Sequence, residues 1–384
     1  MKKSLFITLE FSPQKGGVAS YYYQVCKNLP IDSVVVLANK VKGCQEFDQH
    51  QNFKIIRNRL FSYLVKPKKI PFLSTIRIFF NVKKIAKIIK ENNIELIQVG
   101  NVLPLGFLAM MLEKKYGIPY IVYTHGLDVV LPQRIKRKNL ILKKVLSEAQ
   151  NIIANSCFTE KEIIKLGVDQ QKIIVVNPGP NITSNDLNYT KLADIKEKFN
   201  LDGKKEILSV GRLVARKGFD TTIKAMAKVI KNNQNVVYLI VGGGLDFGRL
   251  SKIIDENKLS QFVYIISKVD DQSLAAYYQL CDIFVMPAKQ IDWDFEGFGI
   301  VYLEANSFGK PVIGAKSGGV PEAIIDNQTG LLVEPDNVDQ LVEKINQLLT
   351  QNDLAKQLGL QGMQRVINDF DWQKIVDKIK LILN

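Results

Sequence analysis

The sequence predicts an α/β protein built from two doubly wound halves. Three observations lead there. The chain has 384 residues, more than one typical core holds. Its short β-rich runs are continuously apolar rather than alternating, as parallel strands covered on both faces are. Helical patterns, for example over 74–90 and 219–231, fall between those runs, which is the order of a doubly wound sheet.

Taken in order, the expected strands of the first half occupy 4–9, 33–38, 95–99, 120–124, 152–154 and 173–176. The opening Met1-Lys-Lys mimics a secretory leader, but Glu10 stops the apolar run too early for one, so it reads as the first strand. Asn177-Pro-Gly-Pro-Asn-Ile-Thr-Ser-Asn is dense in turn formers and reads as the connection between halves. The expected domains are 1–183 and 184–368, with a helix over 191–199 opening the second. Strands are expected there at 206–210, 236–241, 262–266, 283–286, 312–314 and 331–333. Residues 369–384 read as a closing amphipathic helix with an aromatic start.

Composition narrows the function. Hydrophobic content of 46% with 23% charged residues is that of an ordinary globular protein. No apolar run reaches the roughly 18 residues of a membrane span. Cys26, Cys44, Cys157 and Cys281 are scattered, which argues for reduced thiols in a cytoplasmic protein and against a disulfide frame or zinc site.

Charge is unevenly placed. Residues 1–183 hold 28 Lys and Arg against 12 Asp and Glu, whereas 184–384 hold 24 against 26. A basic half suggests a polyanionic partner: an anionic membrane, a phosphorylated lipid or nucleic acid. Richness in Lys, Asn and Ile also arises from genome composition. No RNA-binding aromatic signature or zinc finger is present, and the second half is nearly neutral, which argues against nucleic acid. Between His50 and Lys90 there is no acid, and Leu60, Phe61, Tyr63 and Leu64 stand among the bases. Over 74–90, Ile76, Phe79, Phe80, Val82, Ile85, Ala86 and Ile89 form an apolar part beside Lys83, Lys84, Lys87 and Lys90. This fits a core-packed helix with a solvated face, or peripheral binding to an anionic surface in which Arg134, Lys136, Arg137 and Lys138 join.

The densest motif is Glu296-Gly-Phe-Gly-Ile-Val-Tyr-Leu-Glu304, followed by Ser317-Gly-Gly-Val-Pro-Glu322. Gly297 and Gly299 let backbone amides approach a ligand, and a helix starting near Ile300 would favour an anion. Glu304 within an apolar helix needs a partner. The plainer reading is a helix entry with a solvated Glu. Gly211-Arg-Leu-Val-Ala-Arg-Lys217-Gly places Arg212 and Lys217 in one loop between strand and helix. Two fixed cations there could neutralise a diphosphate, or the loop is simply solvated. Gly16-Gly17 follows the first strand, and could face a ligand or form a turn. His125 ends the strand at 120–124, where a doubly wound fold gathers its ligands, or is an ordinary loop residue. Gly242-Gly-Gly244 follows another strand and could touch a phosphate, but reads first as a simple turn.

These motifs resemble the E-x7-E region and the G-R-L-x3-K-G loop of the family 4 retaining glycosyltransferases. The wording around Glu296 is similar to that of phosphatidylinositol mannosyltransferases. The resemblance covers nearly the whole chain and implies the GT-B fold: two Rossmann-like domains facing a central cleft, the last helix crossing back onto the first. It implies transfer of a hexose, mannose or similar, from a GDP- or UDP-linked sugar to a lipid-linked or saccharide acceptor.

In that reading the acceptor binds the first domain and the nucleotide sugar the second. Arg212 and Lys217 stabilise the diphosphate, His125 contacts the sugar, and Glu296 with the amides of Phe298 and Gly299 orients it. Glu304 accepts from the ribose hydroxyls, and Gly16 and Gly17 line the donor site. Ser267 stands where the family has Gly, and Val269 carries over as a contact to the base. Arg216 is extra and reads as solvent-facing. No metal or cofactor is implied, so Asp292-Trp-Asp294 is taken as a chance metal-like spacing. The implied location is the cytoplasm, peripheral at the inner face of the membrane. The alternatives are a GT-B nucleotide-sugar epimerase, a basic nucleic-acid-binding protein and a catalytically inactive sugar-binding scaffold.

Overall fold

The computed structural model describes residues 1–58 and 71–384, and of 71–80 the backbone only. Leu60, Phe61, Tyr63 and Leu64 therefore lie outside the described residues, as do the side chains of Ile76, Phe79 and Phe80.

The chain forms two compact units. Met1–Pro178 and Trp372–Asn384 make the first, and Gly179–Asp371 the second. The division falls after Pro178 rather than after 183, and the return begins at Trp372 rather than 369, because the turn-rich segment from Gly179 onward is held by the second unit. Ile182 lies in that unit's core, and the Ser307 hydroxyl donates to its carbonyl.

The first unit is a parallel sheet of seven strands: β1 (Ser4–Thr8), β2 (Val34–Asn39), β3 (Lys54–Asn58), β4 (Leu96–Val99), β5 (Tyr120–Thr124), β6 (Asn151–Ala154) and β7 (Ile173–Val175). Their order is β3-β2-β1-β4-β5-β6-β7. The order reverses between β1 and β4, which makes their carboxyl ends the switch point where such sheets bind ligands. Strand β3 was not expected. It is an edge strand whose Lys54 and Arg57 interrupt the apolar signal, and its residues are only partly covered.

One face of this sheet packs Leu5, Ile7, Val99 and Val122 against Val82, Ile85 and Ile89 from the helix Pro71–Glu91. Lys83, Lys84 and Lys87 point outward. Over its described side chains this segment is a core-packed helix with a solvated face. Each buried aliphatic stabilises the fold by about 1.5–3 kcal/mol, so these side chains belong to the protein core and not to a lipid surface. The other face packs Phe6, Val36 and Tyr123 against Tyr21, Tyr22 and Val25 of the helix Gly17–Asn28, and against Ile375, Val376 and Ile379 of the closing helix Trp372–Ile382.

The second unit is a parallel sheet of six strands: β8 (Lys205–Val210), β9 (Val236–Val241), β10 (Val263–Ile266), β11 (Ile283–Met286), β12 (Val312–Ala315) and β13 (Leu331–Val333). The order β10-β9-β8-β11-β12-β13 puts its switch point between β8 and β11. Helices Phe219–Asn232, Ile300–Ser307 and Val338–Thr350 cover its two faces.

Candidate active site

In the second unit the loops after β8, β9, β11 and β12 stack on one another at the carboxyl ends of the strands. Glycines make that possible. A Cβ on Gly218 would stand 2.1 Å from the Pro287 carbonyl oxygen, and one on Gly242 1.9 Å from that of Gly211. Gly242-Gly-Gly244 is therefore more than a free turn. Its Gly243 carbonyl accepts from the Leu213 N–H at 3.0 Å and holds the Arg212 loop from below. Gly319 likewise donates to the Glu296 carbonyl at 2.9 Å.

These loops carry a buried ion cluster. Glu296 Oε2 lies 2.6 Å from Lys217 Nζ and 2.5 Å from an Arg216 guanidinium nitrogen. Arg216 Nε lies 2.9 Å from Asp294 Oδ1. Burial alone would raise the Glu296 carboxyl, but Lys217 and Arg216 overcome it and hold it at about 2. Burial pushes the Lys217 ammonium down against the pull of Glu296. For Arg216, Glu296 and Asp294 outweigh burial and raise it. Arg216 is thus buried and paired, not solvent-facing: Glu296 and Asp294 reach it from the loop after β11, a contact made only by tertiary folding. Arg212 in the same loop is exposed.

The helix Ile300–Ser307 starts at Gly299, whose φ of 99° only glycine tolerates well. It presents Glu304 inward, one turn from its start. The Glu304 carboxylate accepts from the Tyr278 hydroxyl at 2.7 Å and from the Asn181 N–H at 3.3 Å. Burial raises its pKa, with Tyr278 and Asn181 working the other way. The partner a buried Glu needs is therefore Tyr278, for which no local sequence signal exists. A carboxylate offers about four acceptor positions, so capacity remains for ligand hydroxyls. Gly297 follows Glu296, and its carbonyl oxygen would stand 2.1 Å from a Cβ on Gly319. Phe298 is buried, its ring 6.0 Å from Phe370, which leaves its backbone amide as the group able to meet a ligand. Val269 follows β10 on the same edge and packs partly on the core.

In the first unit, Gly16 and Gly17 stand exposed at the start of the helix after β1, and His125 follows β5. His125 Nε2 lies 2.7 Å from the Tyr22 hydroxyl, and the backbone N–H of His125 donates to Asp128 Oδ1 at 2.8 Å. Burial pushes the imidazole down to about 4, so the ring is neutral at pH 7. Tyr22 was not singled out from the sequence; a Tyr21-Tyr-Tyr23 run reads first as core.

Arg216, Lys217, Glu296 and Glu304 thus gather with Arg212 at one end of a doubly wound sheet. A fold of two such units with this cationic loop defines the GT-B class of sugar-nucleotide enzymes. Residues 15–183 match the family model described as Glycosyltransferase Family 4, and 192–365 that described as Glycosyl transferases group 1. The chain belongs to the family 4 glycosyltransferases, and it is a glycosyltransferase.

It is similar to the GDP-mannose-dependent alpha-(1-6)-phosphatidylinositol monomannoside mannosyltransferase of Mycolicibacterium smegmatis, at 25% identity over 96% of this chain and 95% of that protein. The GDP-mannose-dependent monoacylated alpha-(1-6)-phosphatidylinositol monomannoside mannosyltransferase of Corynebacterium glutamicum is 28% identical over 100% and 98%. Among solved structures, Anabaena HepE in complex with UDP and glucose shares the fold with a TM-score of 0.82, at 18% identity over 100% of this chain and 99% of that one.

Proposed function

We propose that this protein is a retaining hexosyltransferase that moves mannose or a similar sugar from a nucleotide-diphosphate donor to a lipid-linked or saccharide acceptor. GDP-mannose and a phosphatidylinositol-type glycolipid are the first pair to test, since both similar mannosyltransferases are named for them. The observation that carries the reading is the buried Lys217–Glu296 pair braced by Arg216 at the β8/β11 switch point, beside exposed Arg212.

Charge builds on the leaving diphosphate as the bond to the anomeric carbon breaks. Cations already fixed in place need no reorganisation at that moment. Lys217 is fixed by Glu296, and Arg212 completes the anion site from the same loop. Glu304 accepts from the ribose hydroxyls with its remaining lone pairs. The acceptor oxygen attacks from the side the diphosphate leaves, its proton passes to a phosphate oxygen, and the anomeric configuration is kept. No metal is required in this scheme, because Arg212 and Lys217 supply the positive charge.

The second part of the reading concerns location. Leu131, Ile135 and Leu140 are 44%, 50% and 63% exposed. Arg134, Lys136, Arg137 and Lys138 stand exposed among them. Apolar side chains set among bases suit an anionic lipid surface, each base near it contributing about 1 kcal/mol. No helix among the described residues is long and apolar enough to cross a membrane. The reading has the enzyme at the cytoplasmic face, reaching a lipid-borne acceptor through this segment.

The test is product analysis with GDP-mannose and UDP-glucose, with and without glycolipid acceptor and EDTA. Transfer with retained anomeric configuration, unaffected by EDTA, is expected. An isomerised nucleotide sugar formed without acceptor would make it an epimerase. An inverted product or loss of activity with EDTA would overturn the retaining or the metal-free part.

A further inference from the structure

Tyr22 sits on the first helix with its hydroxyl between two groups just past the carboxyl ends of β4 and β5. One is the Gly100 carbonyl oxygen, in close hydrogen-bond contact; the other is His125 Nε2 at 2.7 Å. Residue 100 has to be glycine for this. A Cβ there would meet the Tyr22 ring at 2.7 Å and Thr8 Oγ1 at 2.9 Å. The His125 ring is also held edge-on by Tyr21 and Tyr22, with centroids 5.4 and 5.2 Å away.

The proton count is decisive. A carbonyl oxygen only accepts, so the proton between Tyr22 and Gly100 is the tyrosine's own. Burial raises the Tyr22 pKa well above its ordinary value, so that proton is always present. The Tyr22 oxygen then faces His125 with lone pairs alone, and Nε2 must donate. Nδ1 has no partner among the described residues.

We propose that Tyr22 is a positioning residue that fixes His125 as the Nε2–H tautomer, so that His125 meets a sugar hydroxyl as a hydrogen-bond acceptor through Nδ1. The use made of Nδ1 rests on the proposed transferase function together with the expectation, drawn from the family resemblance, that His125 contacts the transferred sugar. The tautomer itself does not.

The chain has only two histidines, and the other gives an internal contrast. His50 Nδ1 lies 2.8 Å from the Glu46 carbonyl, so His50 carries its proton on Nδ1. Two-bond proton–nitrogen spectra of the full chain labelled with nitrogen-15 histidine, at pH 7 and without ligand, read both rings at once. His50→Gln assigns the signals. Expected are a protonated Nε2 and bare Nδ1 for His125, and the reverse for His50. Tyr22→Phe should convert His125 to a mixture of tautomers, whereas Tyr21→Phe should not. It should also lower kcat with GDP-mannose about tenfold while leaving GDP affinity unchanged. A His125 ring protonated on Nδ1 in the wild type overturns the inference, even if Tyr22→Phe fails to fold. So does a tautomer or a kcat unchanged in Tyr22→Phe. A wild type inactive with GDP-mannose counts against the donor assignment alone, because the spectrum needs no substrate.

Discussion

Lys217 Nζ lies 2.6 Å from Glu296 Oε2, and both side chains are about nine-tenths buried. The two residues are brought together from the loops after β8 and β11, the strands that flank the switch point. Removing Lys217 leaves the buried Glu296 carboxylate with Arg216 alone and removes a cation from the anion site. Lys217→Ala is expected to lower turnover by roughly 10²-fold or more, as loss of one preorganised charge contact does. Steady-state transfer assays check it; turnover near the wild-type rate would remove Lys217 from the diphosphate site.

Arg212 and Arg216 should separate function from stability. Arg212 is exposed, so Arg212→Ala is expected to shift stability by no more than about 0.5 kcal/mol yet cost roughly 10²-fold in turnover. Arg216→Ala breaks a buried pair and should destabilise by about 3–5 kcal/mol. Urea denaturation of both variants decides this. Equal midpoints would mean that Arg216 does not brace Glu296 in solution.

Glu304 lies 2.7 Å from the Tyr278 hydroxyl. Glu304→Gln keeps the shape and loses the charged acceptor. Nucleoside diphosphate affinity should fall by about 1–3 kcal/mol, read by calorimetry with GDP. Unchanged affinity would leave Glu304 as a purely structural partner of Tyr278.

Glu206 predicts a pH effect. Its Oε2 is buried without a partner, and burial with nearby Asp282 raises its pKa from 4.5 to about 8. A carboxyl raised in the fold contributes stability that is full below 4.5 and is lost as pH rises toward 8. Glu206→Gln should therefore raise the melting temperature at pH 8.5, by on the order of 1–2 kcal/mol of stability, and leave it little changed at pH 4. A gain equal at both pH values would contradict the assignment.

Liposome sedimentation tests the surface segment. Leu131, Ile135 and Leu140 changed together to Ser should weaken binding to anionic vesicles, and so should high salt. Lys83→Glu should matter less, since Val82 and Ile85 beside it are committed to the core. Binding indifferent to the triple change would remove this surface from the proposal.

Twelve of the strands were legible because each is an apolar run bounded by turn formers, a property of the local sequence. Strand β3 was not: an edge strand needs covering on one side only, so Lys54 and Arg57 are tolerated and the pattern blurs. The cationic loop, the glycine turns and Glu304 were legible because spacing along the chain fixes which residues share a loop or a helix turn. What the sequence left open was which side chains meet across loops. Arg216 read as a surplus base, yet folding sets it between Asp294 and Glu296. Glu304 asked for a partner without naming Tyr278, and Tyr22 looked like core until its hydroxyl came within reach of His125 and Gly100. Charge and hydrogen-bond partners separated by tens of residues are chosen by sheet order and backbone approach. Those depend on all the strands at once, so only the tertiary structure decides them.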